Sequence, residues 1–163
     1  MIEHTETLHT IAQVAITLIG FSGIVIVIGD RALSKWTHEE SASFFGLIAP
    51  TLTALVSSFI PILVGMLTDM PEVTWRIANL FIGVLHLANI LAFYMRTKNA
   101  KKTLGQNING MIGALTIMAH LLASVGLLPW LIPIFLFGLL QQLWIGILNF
   151  LLLLNTRVGD PVS

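Results

Sequence analysis

The sequence predicts an all-α, polytopic transmembrane helical bundle of five spans, with the amino terminus outside and the carboxyl terminus cytoplasmic. Three observations predict it. Of 163 residues, 56% are hydrophobic and 10% are charged, with mean hydropathy +0.90, far more apolar than a water-soluble domain of this length. Five apolar stretches, 8–29, 41–67, 75–95, 108–128 and 131–154, each reach the roughly 20 residues that cross a hydrocarbon core of about 30 Å. Nearly all Lys and Arg residues fall between these stretches on one side.

The first stretch follows an acidic segment with Glu3 and Glu6 and no Lys or Arg, and no small-residue cleavage site follows it. It therefore reads as a permanent helix rather than a secretory signal. Its polar and small residues are Gln13, Thr17, Gly20, Ser22 and Gly23. The second stretch is preceded by Thr37 and Glu40 at capping-box spacing, with Trp36 just before them at the expected cytoplasmic interface. That helix can start near Thr37. Inside it, Pro50 and Pro61 each remove a backbone donor and crowd the carbonyl four residues earlier, at Gly46 and Ser57. Gly46 minimises the crowding, and the hydroxyls of Thr53, Ser57 and Ser58 are candidates to satisfy the freed backbone groups. A static packing kink and a gating hinge are both open at these prolines.

The third stretch places Asn79, Gly83, His86 and Asn89 on one stripe, because offsets of three, four and seven residues share a helical face. His86 lies ten residues from both Arg76 and Arg96. That is roughly 15 Å from either end, near the midplane. The fourth stretch repeats the pattern with Gly113, Thr116, His120 and Ser124, and His120 lies ten residues from the interfacial Trp130. The loop from Arg96 to Asn107 is short enough for these two helices to be antiparallel neighbours, so the two histidines are expected to meet at mid-depth.

The fourth and fifth spans form one run from 108 to 154, broken only by Gly126, Pro129 and Pro133. As a single helix it would be about 70 Å long, too long for one crossing. Gly126 suits a helix end, and the prolines suit a stop and a restart. A tight hairpin around Leu128, Pro129 and Trp130 is expected, with a re-entrant half-helix as the other reading. The fifth span carries Gly138, Gln142, Gly146 and Asn149 on one face, with Gln141 beside it.

Orientation follows from the positive-inside rule. With five spans, Arg31, Lys35, Arg96, Lys98, Lys101, Lys102 and Arg157 fall on one face and Arg76 alone on the other. Trp75 and Trp130 at one interface and Tyr94 at the other agree with this. Merging the last two helices would put Arg157 on the wrong side. A multi-pass protein of the cell inner membrane is expected, with the lipid bilayer as partner and no nucleic acid.

Several functions are disfavoured. The absence of cysteine excludes disulfides, thiolate metal sites and covalent haem attachment. No P-loop, dinucleotide fingerprint or GxSxG elbow is present. No loop has room for a soluble domain of its own. No Asp, Glu, Lys or Arg lies deep in a span, which lowers the rank of proton-coupled transport. No nucleophile and base or paired carboxylates can be assembled from the spans, so an enzyme is not expected.

Three readings remain open for His86 and His120. Buried neutral imidazoles hydrogen-bonded to Asn89, Thr116 or a backbone carbonyl would be structural. Intramembrane imidazoles can also shuttle protons or gate a wet pathway. Facing histidines can ligate a metal or a haem b, although no carboxylate or thiolate joins them, and His4, His9 and His38 lie near the surfaces. No cofactor is expected on the leading reading.

The first helix, with its Gly20-Phe21-Ser22-Gly23 core, the helix start Trp36-Thr37-His38-Glu39-Glu40 and the close Leu148-Asn149-Phe150 together resemble a group of small bacterial multi-span inner-membrane proteins. The resemblance implies the architecture and assigns no catalytic residue. The expected function is a self-associating membrane protein forming a passive pore or solute pathway, because five helices are thin for enclosing a pore alone. The candidate pathway residues are Thr53, Ser57, Asn79, His86, Asn89, Thr116, His120, Gln142 and Asn149, with Pro50 and Pro61 as hinge candidates. A scaffold or accessory subunit binding another membrane protein, with the loop Lys98 to Lys102 on anionic lipid, is the rival reading.

Overall fold

The computed structural model describes residues 4–28, 36–97 and 104–158. Within them the chain forms α1 (Thr5–Ile28), α2 (His38–Leu67), α3 (Pro71–Thr97), α4 (Leu104–Ser124) and α5 (Leu131–Val158), and no strand among the described residues. Each helix is long and apolar enough to cross a membrane, which makes this the architecture of a multi-pass membrane protein. The basic residues Arg31, Lys35, Lys98, Lys101 and Lys102, on which the expected orientation rests, lie outside the described residues. Trp75 and Tyr94 stand near opposite ends of α3 and mark the two ends of the bundle.

The helices run a few residues beyond the apolar stretches at most ends, because hydrogen bonding continues where hydropathy has already fallen. α2 starts at His38, and Thr37 and Glu40 form both halves of the expected capping box. The Glu40 amide donates to Thr37 Oγ1 at 3.1 Å, and the Thr37 amide donates to the Glu40 carboxylate at 2.7 Å. Trp36 meets Phe44 edge to face, with ring centroids 5.3 Å apart, and holds the chain as it enters the helix.

α4 ends at Ser124, four residues before the expected limit, and the reason is local. Gly126 has φ +81°, a backbone region in which a side chain is strained. Its amide bonds to the Ala123 carbonyl at 3.0 Å and that of Leu127 to the Leu122 carbonyl at 2.9 Å, the paired bonds of a Schellman cap. The hairpin between the last two spans is thus real. Arg76, held by Glu72 at 2.6 Å, lays its guanidinium against Gly126, so a cation sits where the carbonyls of α4 end.

α2 runs continuously through Pro50 and Pro61. The nearby hydroxyls do not act as expected. Thr51 donates to the Leu47 carbonyl and Ser58 to the Ala54 carbonyl, while Thr53 accepts from Asn89. Gly46 matters for another reason: its missing side chain makes room for the Asn149 amide, which would meet a methyl there at 2.6 Å.

α5 touches all four other helices and is the centre of the bundle. α2 and α3 flank it, α1 packs outside α2, and α4 packs outside α3. The apolar core gathers Leu8, Ala54, Trp75, Ile82, Phe135 and Leu139, with Trp75 and Phe135 edge to face at 5.5 Å. Outside, large apolar side chains such as Ile16, Leu63, Leu91, Leu115 and Phe137 are exposed on every helix. Buried polar side chains lie mostly on α2 to α5. On α1 the polar and small residues Gln13, Thr17, Gly20 and Gly23 are exposed and the inward face is the apolar Leu8, Ile11, Ala12 and Ala15, so the stripe expected of the first helix does not face the interior. At the Tyr94 end, His38 Nε2–H donates to the Arg96 carbonyl, and the Arg96 guanidinium stacks 4.1 Å over Phe45, tying α2 to α3.

Candidate functional site

Asn79, on α3, organises the interior. Its Nδ2 donates to the carbonyls of Trp75 at 2.8 Å and Leu131 at 2.9 Å. Both amide hydrogens are thus used on groups that only accept, which fixes the amide orientation. Its Oδ1 lies 2.8 Å from Nδ1 of His120. Because that oxygen only accepts, Nδ1 carries the proton and Nε2 is left with a lone pair. This tautomer is assigned by the hydrogen-bond network.

Glycines admit the rings. His120 lies between α3 and α5, where a methyl on Gly138 would overlap its Nε2 and one on Gly83 would lie 3.0 Å from its Cβ. His86 stands beside Gly113, whose methyl would lie 3.4 Å from the His86 Nε2. Gly83, beside the His120 Cβ, is three residues from His86 on α3, so the two histidines stand about a helical turn apart along that helix. Each is received by glycine on a facing helix.

The expected partners differ as well. Asn89 donates to Thr53 Oγ1 at 2.8 Å, across α2 and α3, and Thr116 donates to its own Ile112 carbonyl at 2.9 Å. Neither bonds a histidine. Ligation by both imidazoles would need their free nitrogens to open into one space, whereas Nε2 of His120 is directed at Gly138. Among the described residues, no group of three or more His, Cys, Asp or Glu surrounds them.

Several buried polar atoms have no partner among the described residues. They include both ring nitrogens of His86, Nε2 of His120, both side-chain polar atoms of Gln142, Oε1 of Gln141 and the hydroxyl of Ser57. His86 is 1% exposed and Gln142 0%. Leaving such an atom unmade costs about 1–3 kcal/mol, so each of them calls for a partner such as water or a bound polar group.

Two clefts enter the bundle from opposite ends. At the Trp75 end, a cleft of about 850 Å³ is lined by Asp69, Glu72, Trp75, Trp130 and Leu131 among others. At the Tyr94 end, one of about 450 Å³ has His86 and Gln142 in its lining, with Asn89, Asn109, Asn149 and Asn155 along its walls. A polar thread spans the bundle between them. The carbonyls of Trp75 and Leu131 belong to residues lining the larger cleft; they bond Asn79, and Asn79 bonds His120. One turn beyond the glycines that hold His120 stand His86 and Gln142, at the smaller cleft. Trp75 and His86 are eleven residues apart, so about 16 Å of bundle separates the two cleft walls on α3. Ile82, Phe135 and Leu139 fill that septum.

Of the sequence-derived candidates, Asn79, His86, His120 and Gln142 belong to this thread. Asn89, Asn149 and Thr53 stand at or near the smaller cleft, Thr116 is satisfied within its own helix, and Ser57 is buried in α2. Reasoning from the stripes missed Asn107, Asn109 and Gly110, which line the smaller cleft from the start of α4. The signal was the amide-rich run Gln106, Asn107 and Asn109 at the start of that helix's apolar stretch. No protein-family model, curated protein or solved structure matches this chain.

Proposed function

We propose that this chain is a multi-pass inner-membrane protein that gives a small uncharged polar solute a passive route through a single protomer. The polar thread joining two opposed clefts carries the reading. Asn79, His120, His86 and Gln142 supply donors and acceptors in succession. No Asp, Glu, Lys or Arg stands along them, and an ion entering so apolar an interior without a counter-charge loses several kcal/mol of hydration. Water, urea and glycerol fit these terms.

The packed septum of Ile82, Phe135 and Leu139 is a closed gate in this reading. Because the candidate residues turn into the protomer, the route needs no lumen between copies, and any self-association would be built on the apolar outer surface. No covalent chemistry and no cofactor enter the mechanism.

The test is permeability of phosphatidylcholine liposomes containing the purified chain. Stopped-flow light scattering should show faster water, urea or glycerol equilibration than empty liposomes, with no added potassium flux. Permeability equal to that of empty liposomes for all three solutes would overturn the reading and leave a scaffold as the better account.

A further inference from the structure

The smaller cleft has features that solute passage does not require. Its walls mix amides with aromatic and aliphatic side chains, Phe45, Ile90 and Phe93 among them. Two deeply buried side chains in its lining, His86 and Gln142, have four polar atoms without partners among the described residues. A neutral imidazole has one donor and one acceptor, and a carboxamide offers both kinds of group. Together they can receive a head that both donates and accepts.

The rim points to the rest of the ligand. Tyr94, Leu151 and Leu152 line the cleft while being 56%, 50% and 47% exposed. All three stand on the membrane-crossing stretches of α3 and α5. One edge of the mouth is therefore made of lipid-facing side chains. A volume of about 450 Å³ lies within the roughly 300–1,000 Å³ usual for small-molecule sites. No described lining residue is Asp, Glu, Lys or Arg, so a charged head would be desolvated with nothing to oppose its charge.

We infer that this cleft binds an uncharged amphiphile, its hydroxyl-bearing head against His86 and Gln142 and its apolar chain leaving past Tyr94, Leu151 and Leu152. Water would satisfy the buried polar atoms but leaves the aromatic wall and the lipid-facing rim without a role. The site stands apart from the flux reading, because binding needs no opening of the septum.

The experiment uses the full chain in phosphatidylcholine nanodiscs with a monoacylglycerol that carries a diazirine in its acyl chain. Photolabelling should fall on α3 and α5 near the cleft and be competed by monooleoylglycerol. Methyl oleate, which has no donor, and oleate, which is charged, should compete poorly. Gly110 lines the cleft, and a methyl there would meet nothing within 4 Å, so Gly110→Leu should grow into open space and reduce labelling at least about tenfold with Tm unchanged. Gln142→Leu removes two unpartnered polar atoms and should lower labelling at least about tenfold while Tm holds or rises.

Labelling that monooleoylglycerol does not compete, or that is equal in the wild type and Gln142→Leu, would overturn the inference. It would leave a cleft that holds water alone. Binding without flux would support this site while rejecting the pathway, and flux without binding would do the reverse.

Discussion

Nδ1 of His120 lies 2.8 Å from Oδ1 of Asn79, and this contact between α4 and α3 determines which nitrogen of a fully buried imidazole carries its proton. Both amide hydrogens of Asn79 are taken by carbonyls, so the oxygen is the only group left to face the ring. Asn79 also reaches the first residue of α5 through Leu131. One side chain thus joins three helices.

The tautomer is directly observable. Solid-state NMR of protein labelled with ¹⁵N-histidine should show His120 as the Nδ1–H form. A protonated Nε2 at His120 would contradict the network assigned to Asn79.

Asn79→Ala leaves the His120 donor without its partner and removes the side-chain donor from two carbonyls. Stability in detergent should fall by about 1–3 kcal/mol. A double-mutant cycle with His120→Ala should give a coupling of about 0.6–2 kcal/mol, the range for interhelical polar pairs in lipid. Additive effects of the two substitutions would show that the contact contributes nothing.

The glycines of the interior and of the outer surface should respond in opposite ways. Gly138→Ala drives a methyl into the His120 ring and should destabilise by about 1–3 kcal/mol. Gly23→Ala meets nothing within 4 Å and should be neutral or stabilise by up to about 1 kcal/mol through helix propensity. Thermal unfolding of both variants checks the contrast, and equal effects would mean that His120 does not occupy the space beside Gly138.

At the helix ends, Thr37→Ala removes the side chain that accepts from the Glu40 amide and should lower stability by about 1 kcal/mol. Gly126→Ala should cost at least about 1 kcal/mol, since it strains a φ of +81° and pushes into the Arg76 guanidinium. Hydrogen exchange should show faster opening of the first turn of α2 in one variant and of the last turn of α4 in the other.

For the proposed pathway, His86→Leu replaces a hydrogen-bonding station with an apolar side chain of similar bulk. Glycerol flux in liposomes should fall about tenfold, corresponding to a barrier about 1.4 kcal/mol higher. Unchanged flux in folded His86→Leu protein would remove His86 from the route.

How much of this was legible in the sequence depended on the range of the interaction. The capping box at Thr37 and Glu40 was readable because its partners are three residues apart, and Gly126 marked the end of α4 because its cap closes within six residues. The stripes bearing Asn79 and His86 on α3 and Gly113 and His120 on α4 identified the inward faces of those two helices. Hidden from the same pattern were Asn89 bonding Thr53, 36 residues away, and Asn79 bonding His120, 41 residues away. A stripe supplies an angle around a helix and says nothing of the height at which a neighbour docks.

Five spans, the caps at Thr37 and Gly126 and the inward faces of α3 and α4 are therefore properties of the sequence alone, because hydropathy and hydrogen bonding within one helix decide them, whereas the polar residues of α1 lie on its exposed side. The central place of α5, the seating of each imidazole against its glycines, and the two clefts belong to the tertiary structure. Sliding one helix by a single turn, about 5.4 Å, would carry His120 past Asn79 and give every buried polar group a different neighbour. Only the packing of α3, α4 and α5 against one another determines that height.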